Sequence, residues 1–283
     1  MPVAIVTDST SDIEPERAAE LDIDIVPLFV IWGDKSYRDY IDLSRAQFYE
    51  KLAHEPNLPI TSQPTAGMFE DVFKKRLDRG DEILCITLSS KVSGTINAAT
   101  AAASRFPGAP ITIFDSLSVA GGLGMMVLKA HELARDGSSV AQIVRVIERE
   151  RETQKLYACL PDLSHIVRTG RVSKAQAAIG TLMKIVPVLT LRDGAVAAEA
   201  QVRTFARAQE TMLDLSMRGI EDPRTARFLV MHTNAPELAN SVVAKIRTRL
   251  HGAEPALLDV LEAGPVIAVH GGSGAVGIFS SNV

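Results

Sequence analysis

The sequence predicts an α/β protein of two lobes: an N-terminal doubly wound, mainly parallel sheet and a C-terminal α/β lobe with an antiparallel or mixed sheet. Three observations predict it. Through the first half, short β-branched apolar runs alternate with helical periodicities, the pattern of a parallel sheet with crossover helices. In the second half, Asp193-Gly194 separates two strand-like runs, which signals a hairpin and therefore an antiparallel pair. The length of 283 residues exceeds what a single core usually organises. The boundaries expected are residues 3–280 for the whole, with lobes over 1–155 and 156–283. The last strand is assigned either to the second lobe or to a return toward the lobe interface.

The elements follow in order. Val3 to Thr7 reads as a buried strand, and Asp8-Ser9-Thr10-Ser11-Asp12 as a polar turn before a helix with Pro15 in its first turn. Ile25 to Ile31 reads as one strand, and Ser44 to Leu52 as a helix. Thr61-Ser62-Gln63-Pro64-Thr65 leads into a helix whose Phe69, Val72, Phe73 and Leu77 recur at helical spacing, and Gly80 ends it. Ile83 to Leu88 is a strand that empties into Ser89-Ser90-Lys91-Val92-Ser93-Gly94-Thr95 and then a helix from Ile96 to Phe106. Pro110 to Phe114 is another strand, followed through Asp115-Ser116-Leu117-Ser118 by a helix rich in small residues and glycine. After a helix ending near Gln154, Tyr157 to Arg171 reads as loop. Lys184 to Leu191 pairs with Ala195 to Val202. A helix from Ala206 to Met217, a strand from Phe228 to His232, a helix from Glu237 to Leu250 and strands at Ala256 to Leu261 and Pro265 to Val269 complete the chain.

Composition excludes several classes of function. With 30 Lys+Arg against 34 Asp+Glu the formal charge is -4, so the chain lacks the basic field on which nucleic-acid binding depends. Cys85 and Cys159 lie far apart in apolar stretches and read as buried thiols in a reducing compartment, which points to the cytoplasm. Polar residues arrive too early after Met1 for a signal peptide, and no apolar run reaches membrane-spanning length. The histidines have no metal-ligand spacing, and no phosphate-binding loop motif is present.

The helix that opens on Ser93-Gly94-Thr95 is the strongest functional signal. A helix start presents unpaired N–H groups and hydroxyls, which suits a small anion. Taken alone, each such turn is ordinary helix capping. Three hydroxyl-rich turns, Thr7 to Ser11, Ser89 to Ser93 and Ser116 to Ser118, all follow strands and would share the carboxyl edge of one parallel sheet, where ligands of this architecture bind. Gly272, Gly274 and Gly277 match a dinucleotide fingerprint in letters only, because no helix or acidic partner can follow in the few residues that remain. A glycine nest beside His270 is the better reading. Ser273 lacks the second glycine of a hydrolase elbow. The run from Arg168 to Lys174 is basic and reads as a solvated loop or an anion or partner contact.

These residues carry a resemblance. Val6-Thr7-Asp8-Ser9-Thr10-Ser11-Asp12, Thr61-Ser62-Gln63-Pro64, Ser89 to Thr95, Ile113-Phe114-Asp115-Ser116, Gly170-Arg171-Val172-Ser173 and His270-Gly271-Gly272-Ser273-Gly274, in this order, resemble the DegV family of bacterial fatty-acid-binding proteins over residues 3–279. The resemblance implies a non-catalytic, cytoplasmic carrier that buries one long-chain fatty acid and presents its carboxylate to a separate fatty acid kinase, which makes the acyl phosphate. It implies a carboxylate site of Thr61, Ser62, Ser93, Gly94, Thr95 and His270. Ser9, Thr10, Asp115, Ser116, Gly272 and Ser273 would belong to the surrounding network, and Arg171 and Arg203 would meet the kinase. The implied ligand is the fatty acid, with no cofactor, no metal, no nucleic acid and at most a transient membrane-surface contact.

The family usually has Pro where this chain has Ser273, and Ile at Val172. A tail of ~14 methylenes at ~0.8 kcal/mol each would dominate affinity over a charge-assisted hydrogen bond of ~1.5 to 3 kcal/mol. Val119 to Ala130 and Ala175 to Val188 could line the tail's path or serve as ordinary core. The alternative function is a lipid esterase or acyltransferase using Ser93 or Ser273 with His270.

Overall fold

A computed structural model describes residues 1–172 and 185–282, which fall into two compact units, Met1–Glu152 and Thr153–Val283. In the first unit, four parallel strands form a sheet in the order β2-β1-β6-β7, comprising β1 (Val3–Asp8), β2 (Asp24–Val26), β6 (Glu82–Thr87) and β7 (Ile111–Asp115). Period-two alternation sends neighbouring side chains to opposite faces, and here both faces are apolar. Ile5, Leu84 and Ile86 meet Leu123, Met126 and Val127 of helix α5 (Ala120–Arg135) and Ile143 and Ile147 of α6 (Val140–Thr153). Val6, Ile83 and Cys85 meet Phe69 and Phe73 of α3 (Ala66–Asp78) and Ala98, Ala99 and Ala102 of α4 (Thr95–Ala103). Helices on both faces are the doubly wound arrangement expected.

A smaller antiparallel sheet, β4-β3-β5, joins β3 (Phe29–Trp32), β4 (Lys35–Arg38) and β5 (Ile60–Ser62), with α1 (Pro15–Glu20) and α2 (Arg45–His54) elsewhere in this unit. The single strand expected over Ile25 to Ile31 is therefore two strands in two sheets. Pro27 interrupts the run, since it has no N–H for a ladder, and the N–H of Leu28 is donated instead to Ser9 Oγ at 3.0 Å.

The second unit is built on a six-stranded mixed sheet, β10-β9-β8-β13-β11-β12. Its strands are β8 (Lys155–Cys159), β9 (Val186–Arg192), β10 (Ala195–Val202), β11 (Ala226–His232), β12 (Leu257–Glu262) and β13 (Val276–Asn282), with only β11 and β12 parallel. Asp193 and Gly194 turn the β9–β10 hairpin with φ of 50° and 79°, the left-handed pair that a two-residue turn needs. One face buries Val188, Phe228, Val230 and Ile278 under Met212 and Leu213 of α8 (Phe205–Met217) and Val242 and Ile246 of α9 (Pro236–Arg249). Leu189 on the sheet packs with Leu160, Val172, Ala275 and Ile166, the last on α7 (Ser164–Arg168).

Two expectations fail in this unit. Tyr157 to Arg171 is not loop: it contains the end of β8, paired on both sides, and α7. A five-residue strand gains its identity from non-local partners that local pattern cannot reveal. Pro265 to Val269 is not a strand but the body of α10 (Pro265–Gly271). Pro265 sits at the first helical position after Gly264, where its fixed φ and missing N–H do no harm, and an apolar run this short fits either element. The glycine fingerprint consequently follows a helix. Of the stretch Ala175 to Val188 that could line the tail's path, residues up to Lys184 lie outside the described residues, as do Ser173 and Lys174.

Candidate functional site

The carboxyl ends of β1, β6 and β7 lie side by side, and each empties into a hydroxyl-bearing turn. After β1 the chain makes a 3-10 turn over Ser9–Ser11, in which Asp8 is the organiser. Its Oδ1 accepts the N–H of Thr10 at 3.0 Å and the Thr10 hydroxyl at 2.5 Å, and its Oδ2 accepts the N–H of Leu88 at 2.8 Å, which ties the β1 turn to the β6 turn. Burial pushes the Asp8 carboxyl up to about 6, while the hydrogen bonds from Thr10 and Leu88 act in the opposite direction. After β7, Asp115 Oδ1 accepts the N–H groups of Leu117 and Ser90, each at 3.1 Å, and the N–H of Ser89 is donated to Ser118 O at 2.8 Å. Ser116 closes its own turn by accepting the N–H of Ser118 at 3.0 Å. Leu117 and Ala120 hold φ of 49° and 52°, left-handed backbone in non-glycine residues, so this edge stores strain that the network must hold.

The β6 turn leads into α4. Ser93 Oγ lies 2.9 Å from Thr95 Oγ1 and accepts the N–H of Thr95 at 3.3 Å, and Gly94 is the cap residue. Gly94 is a glycine because of proximity: a Cβ there would lie 2.2 Å from Gln63 Oε1. That approach brings Gln63, which directly follows Thr61 and Ser62 at the end of β5, to the N-terminus of α4. Thr61, Ser62, Ser93 and Gly94 are all part-buried, and Thr95 is buried. The Ser93 and Thr95 hydroxyls and the positive end of a helix dipole thus share a neighbourhood with the segment after β5, and such a terminus can orient an oxyanion. Ser9, Thr10 and Ser116 are buried at the same sheet edge, with Asp115 part-buried. Nearby, the hydroxyl oxygens of Thr7, Ser11 and Thr87 are buried with no hydrogen-bond partner among the described residues. Gly124 of α5 is also a close-approach glycine, since a Cβ would meet Ser11 O at 2.4 Å. Leu123, Met126, Val127 and Ala130 of this helix are core residues.

In the second unit His270 lies in the last turn of α10, and its Nδ1 is 2.8 Å from Thr169 Oγ1. The Thr169 hydroxyl is itself directed to the carbonyls of His165 at 2.9 Å and Ile166 at 3.2 Å. Its single proton goes to those carbonyls, so the Nδ1–H of His270 is the donor to Thr169. Burial pushes His270 down to about 3, helped by Arg171, Arg168 and His165, so the ring is neutral. Gly272 ends α10 with φ 69° and packs on the His165 ring, where a Cβ would come within 2.9 Å of Cδ2. Ser273 is exposed, and its hydroxyl accepts from Asn234 Nδ2 at 3.4 Å. Arg171 donates to Thr169 O at 2.5 Å, and burial lowers its guanidinium. Arg203 is exposed between β10 and α8.

Sequence reading passed over Asp8 and Gln63 as site residues, although both stand inside the motifs quoted above. It missed Thr169, whose contact with His270 spans about a hundred positions and has no local signal. Among the described residues no group of three or more His, Cys, Asp or Glu could hold a metal ion, and no helix is long and apolar enough to cross a membrane.

The fold and its polar edge define a class: an α/β protein with a parallel-sheet unit ending in hydroxyl-rich turns and a second, mixed-sheet unit. The chain belongs to the DegV family. The family model described as "Uncharacterised protein, DegV family" matches residues 2–282. A DegV domain-containing protein of Deinococcus radiodurans is 36% identical, over 98% of this chain and 98% of that protein. A solved DegV family protein from Thermus thermophilus, described by its fatty acid binding, superposes with a TM-score of 0.92 at 31% identity over 100% of both chains. Bacillus subtilis DegV, described as a fatty acid binding protein, gives 0.90 at 32% identity, again over 100% of both chains.

Proposed function

We propose that this protein is a non-catalytic carrier that binds a long-chain fatty acid and holds its carboxylate at the N-terminus of α4. The observation that supports the reading is the seating of Gln63 against Gly94, which brings the segment bearing Thr61 and Ser62 to the helix terminus where Ser93 and Thr95 sit. Relatives above 30% identity that are described as fatty-acid-binding support the ligand class. The pair Ser93–Thr95 can turn both hydroxyl protons outward when a carboxylate arrives, and each charge-assisted bond is worth ~1.5 to 3 kcal/mol. The apolar tail supplies most of the affinity and the head group supplies the orientation.

In the finer reading, the carrier acts in the cytoplasm and a separate fatty acid kinase phosphorylates the bound carboxylate. His270 belongs to the head-group network, and Arg171 and Arg203 serve the kinase encounter.

The test is a ligand series on Ser93→Ala and Thr61→Ala. Each variant should bind a long-chain fatty acid roughly tenfold more weakly, while affinity for the methyl ester of the same acid changes little. Arg171→Ala should impair phosphorylation by the kinase more than lipid binding. Equal losses for acid and ester in both hydroxyl variants would remove Thr61 and Ser93 from the head-group site.

A further inference from the structure

We propose that Asp259 guards an open sheet edge: its carboxylate covers the central outward N–H of β12 and keeps that strand from pairing with β12 of a second copy of the chain. The guard is independent of what the protein binds.

The first observation is topology. β12 ends the order β10-β9-β8-β13-β11-β12, so β11 flanks it on one side and no described strand lies on the other. Ala263 donates its N–H to His232 O at 2.8 Å, which turns that N–H toward β11. Direction alternates along a strand, so Leu257, Asp259 and Leu261 also face β11, while Leu258, Val260 and Glu262 turn their N–H and C=O groups outward. Such a row is a template for a further strand.

The second observation is composition. The run Ala256-Leu257-Leu258-Asp259-Val260-Leu261 has Asp259 as its only charge and contains neither proline nor glycine. Apolar strands of this kind associate edge to edge unless something blunts them. The opposite edge of the sheet is blunted in several ways: β10 carries a bulge between Ala198 and Ala200, Glu199 is paired with Arg192 at 2.9 Å, and Val172 bridges Val196 on the outer side. β12 has no such interruption, because its register on β11 runs unbroken from Arg227↔Leu257 to His232↔Glu262. Asp259 is therefore the feature that interrupts its outer edge.

The third observation is the placement of the carboxylate. Asp259 is exposed, and its Oδ1 accepts the outward N–H of Val260 at 2.8 Å. The outward residues Leu258, Val260 and Glu262 are symmetric about Val260. Two copies of the strand run antiparallel would place Val260 opposite Val260 on a two-fold axis, with Leu258 opposite Glu262 on either side. The two central bonds of that ladder need the Val260 N–H of each copy, and Asp259 holds both. Pairing would therefore break two charge-assisted bonds. It would also bring the two Asp259 carboxylates onto one face as diagonal neighbours across the axis, where like charges repel.

The experiment uses the full chain. Asp259→Val removes the acceptor and the charge from an exposed position and supplies a strand-forming side chain. Its self-association constant, read by sedimentation velocity over a concentration series, should exceed that of the unaltered protein at least tenfold. Asp259→Asn keeps an acceptor oxygen beside the Val260 N–H and should associate far less than Asp259→Val. Hydrogen exchange reads the cap itself: at a dilution where both proteins are dispersed, the Val260 amide should exchange several-fold faster in Asp259→Val, and in the associated species it should become protected. Equal association of Asp259→Val and the unaltered protein, or a gain that leaves the Val260 amide unprotected, overturns the guard. Equal gains in Asp259→Asn and Asp259→Val overturn the covered N–H as its basis.

Discussion

Replacing Gly94 tests how the head-group neighbourhood is assembled. The backbone at residue 94 has φ −85°, open to any residue, so Gly94→Ala introduces no torsional strain. Its cost has two sources. As a helix cap Ala is inferior to Gly by roughly 0.5 to 1 kcal/mol. The new methyl would also lie 2.2 Å from Gln63 Oε1, 3.0 Å from Cδ and 3.2 Å from Nε2, so the Gln63 side chain must swing away. Because the obstacle is the end of a flexible side chain, that displacement costs about 0.5 to 1.5 kcal/mol, as for an off-rotamer torsion. The sum is about 1 to 2.5 kcal/mol, or several degrees in the melting temperature of a unit this size. Gln63→Ala removes the obstacle, so in that background Gly94→Ala should cost only the capping share. A double-mutant cycle by urea unfolding should therefore give a coupling of about 1 kcal/mol. Fatty acid affinity should fall in Gly94→Ala, where Gln63 is displaced against its own segment. Strict additivity of the two changes would refute the idea that Gln63 is seated on Gly94 and that this contact joins β5 to α4.

Other changes reach the same edge. Gly124→Ala meets a backbone oxygen at 2.4 Å, so the roughly 1 kcal/mol of helix propensity gained is outweighed and net destabilisation of about 1 to 2 kcal/mol should appear in thermal unfolding. Asp8 has a folded pKa of about 6 against 3.8 unfolded, so the native state binds the extra proton between those values and its contribution to stability declines as pH rises through that window. The stability of the protein relative to Asp8→Asn should accordingly fall by about 2 kcal/mol between pH 4 and pH 7, and a flat difference would place Asp8 in a more polar setting. His270, lowered to about 3, has the opposite sign: its contribution grows as pH rises from about 3 toward its unfolded value of 6.5, and His270→Gln should remove that rise.

The fold was legible wherever an element carried its own pattern. The unbroken apolar run Ile83-Leu84-Cys85-Ile86 announces two-sided burial, Phe69 and Phe73 announce a helix face, and Asp193-Gly194 announces a hairpin. It was illegible where identity depends on partners distant in sequence. β8 is a strand because β9 and β13 flank it, and Pro265 opens a helix in a run whose apolar residues fit a strand equally well. The division at Pro27 shows the same limit, since the competing acceptor for Leu28 N–H is the hydroxyl of Ser9, nineteen residues away. For the candidate site, the turns at Ser9, Ser93 and Ser116 were visible as hydroxyl-rich strand exits. The bond that joins the first two was not, since Asp8 to Leu88 spans 80 positions, and neither was the Thr169–His270 contact of the second unit, which spans 101.

The carrier function stands or falls on what the protein holds. Native mass spectrometry of the gently purified chain, followed by solvent extraction, tests it most directly. The expected result is a bound mass of one long-chain fatty acid per chain that extraction removes and that Ser93→Ala retains less well. A chain that emerges with no acyl ligand, and takes up none when offered a series of long-chain fatty acids, would contradict it.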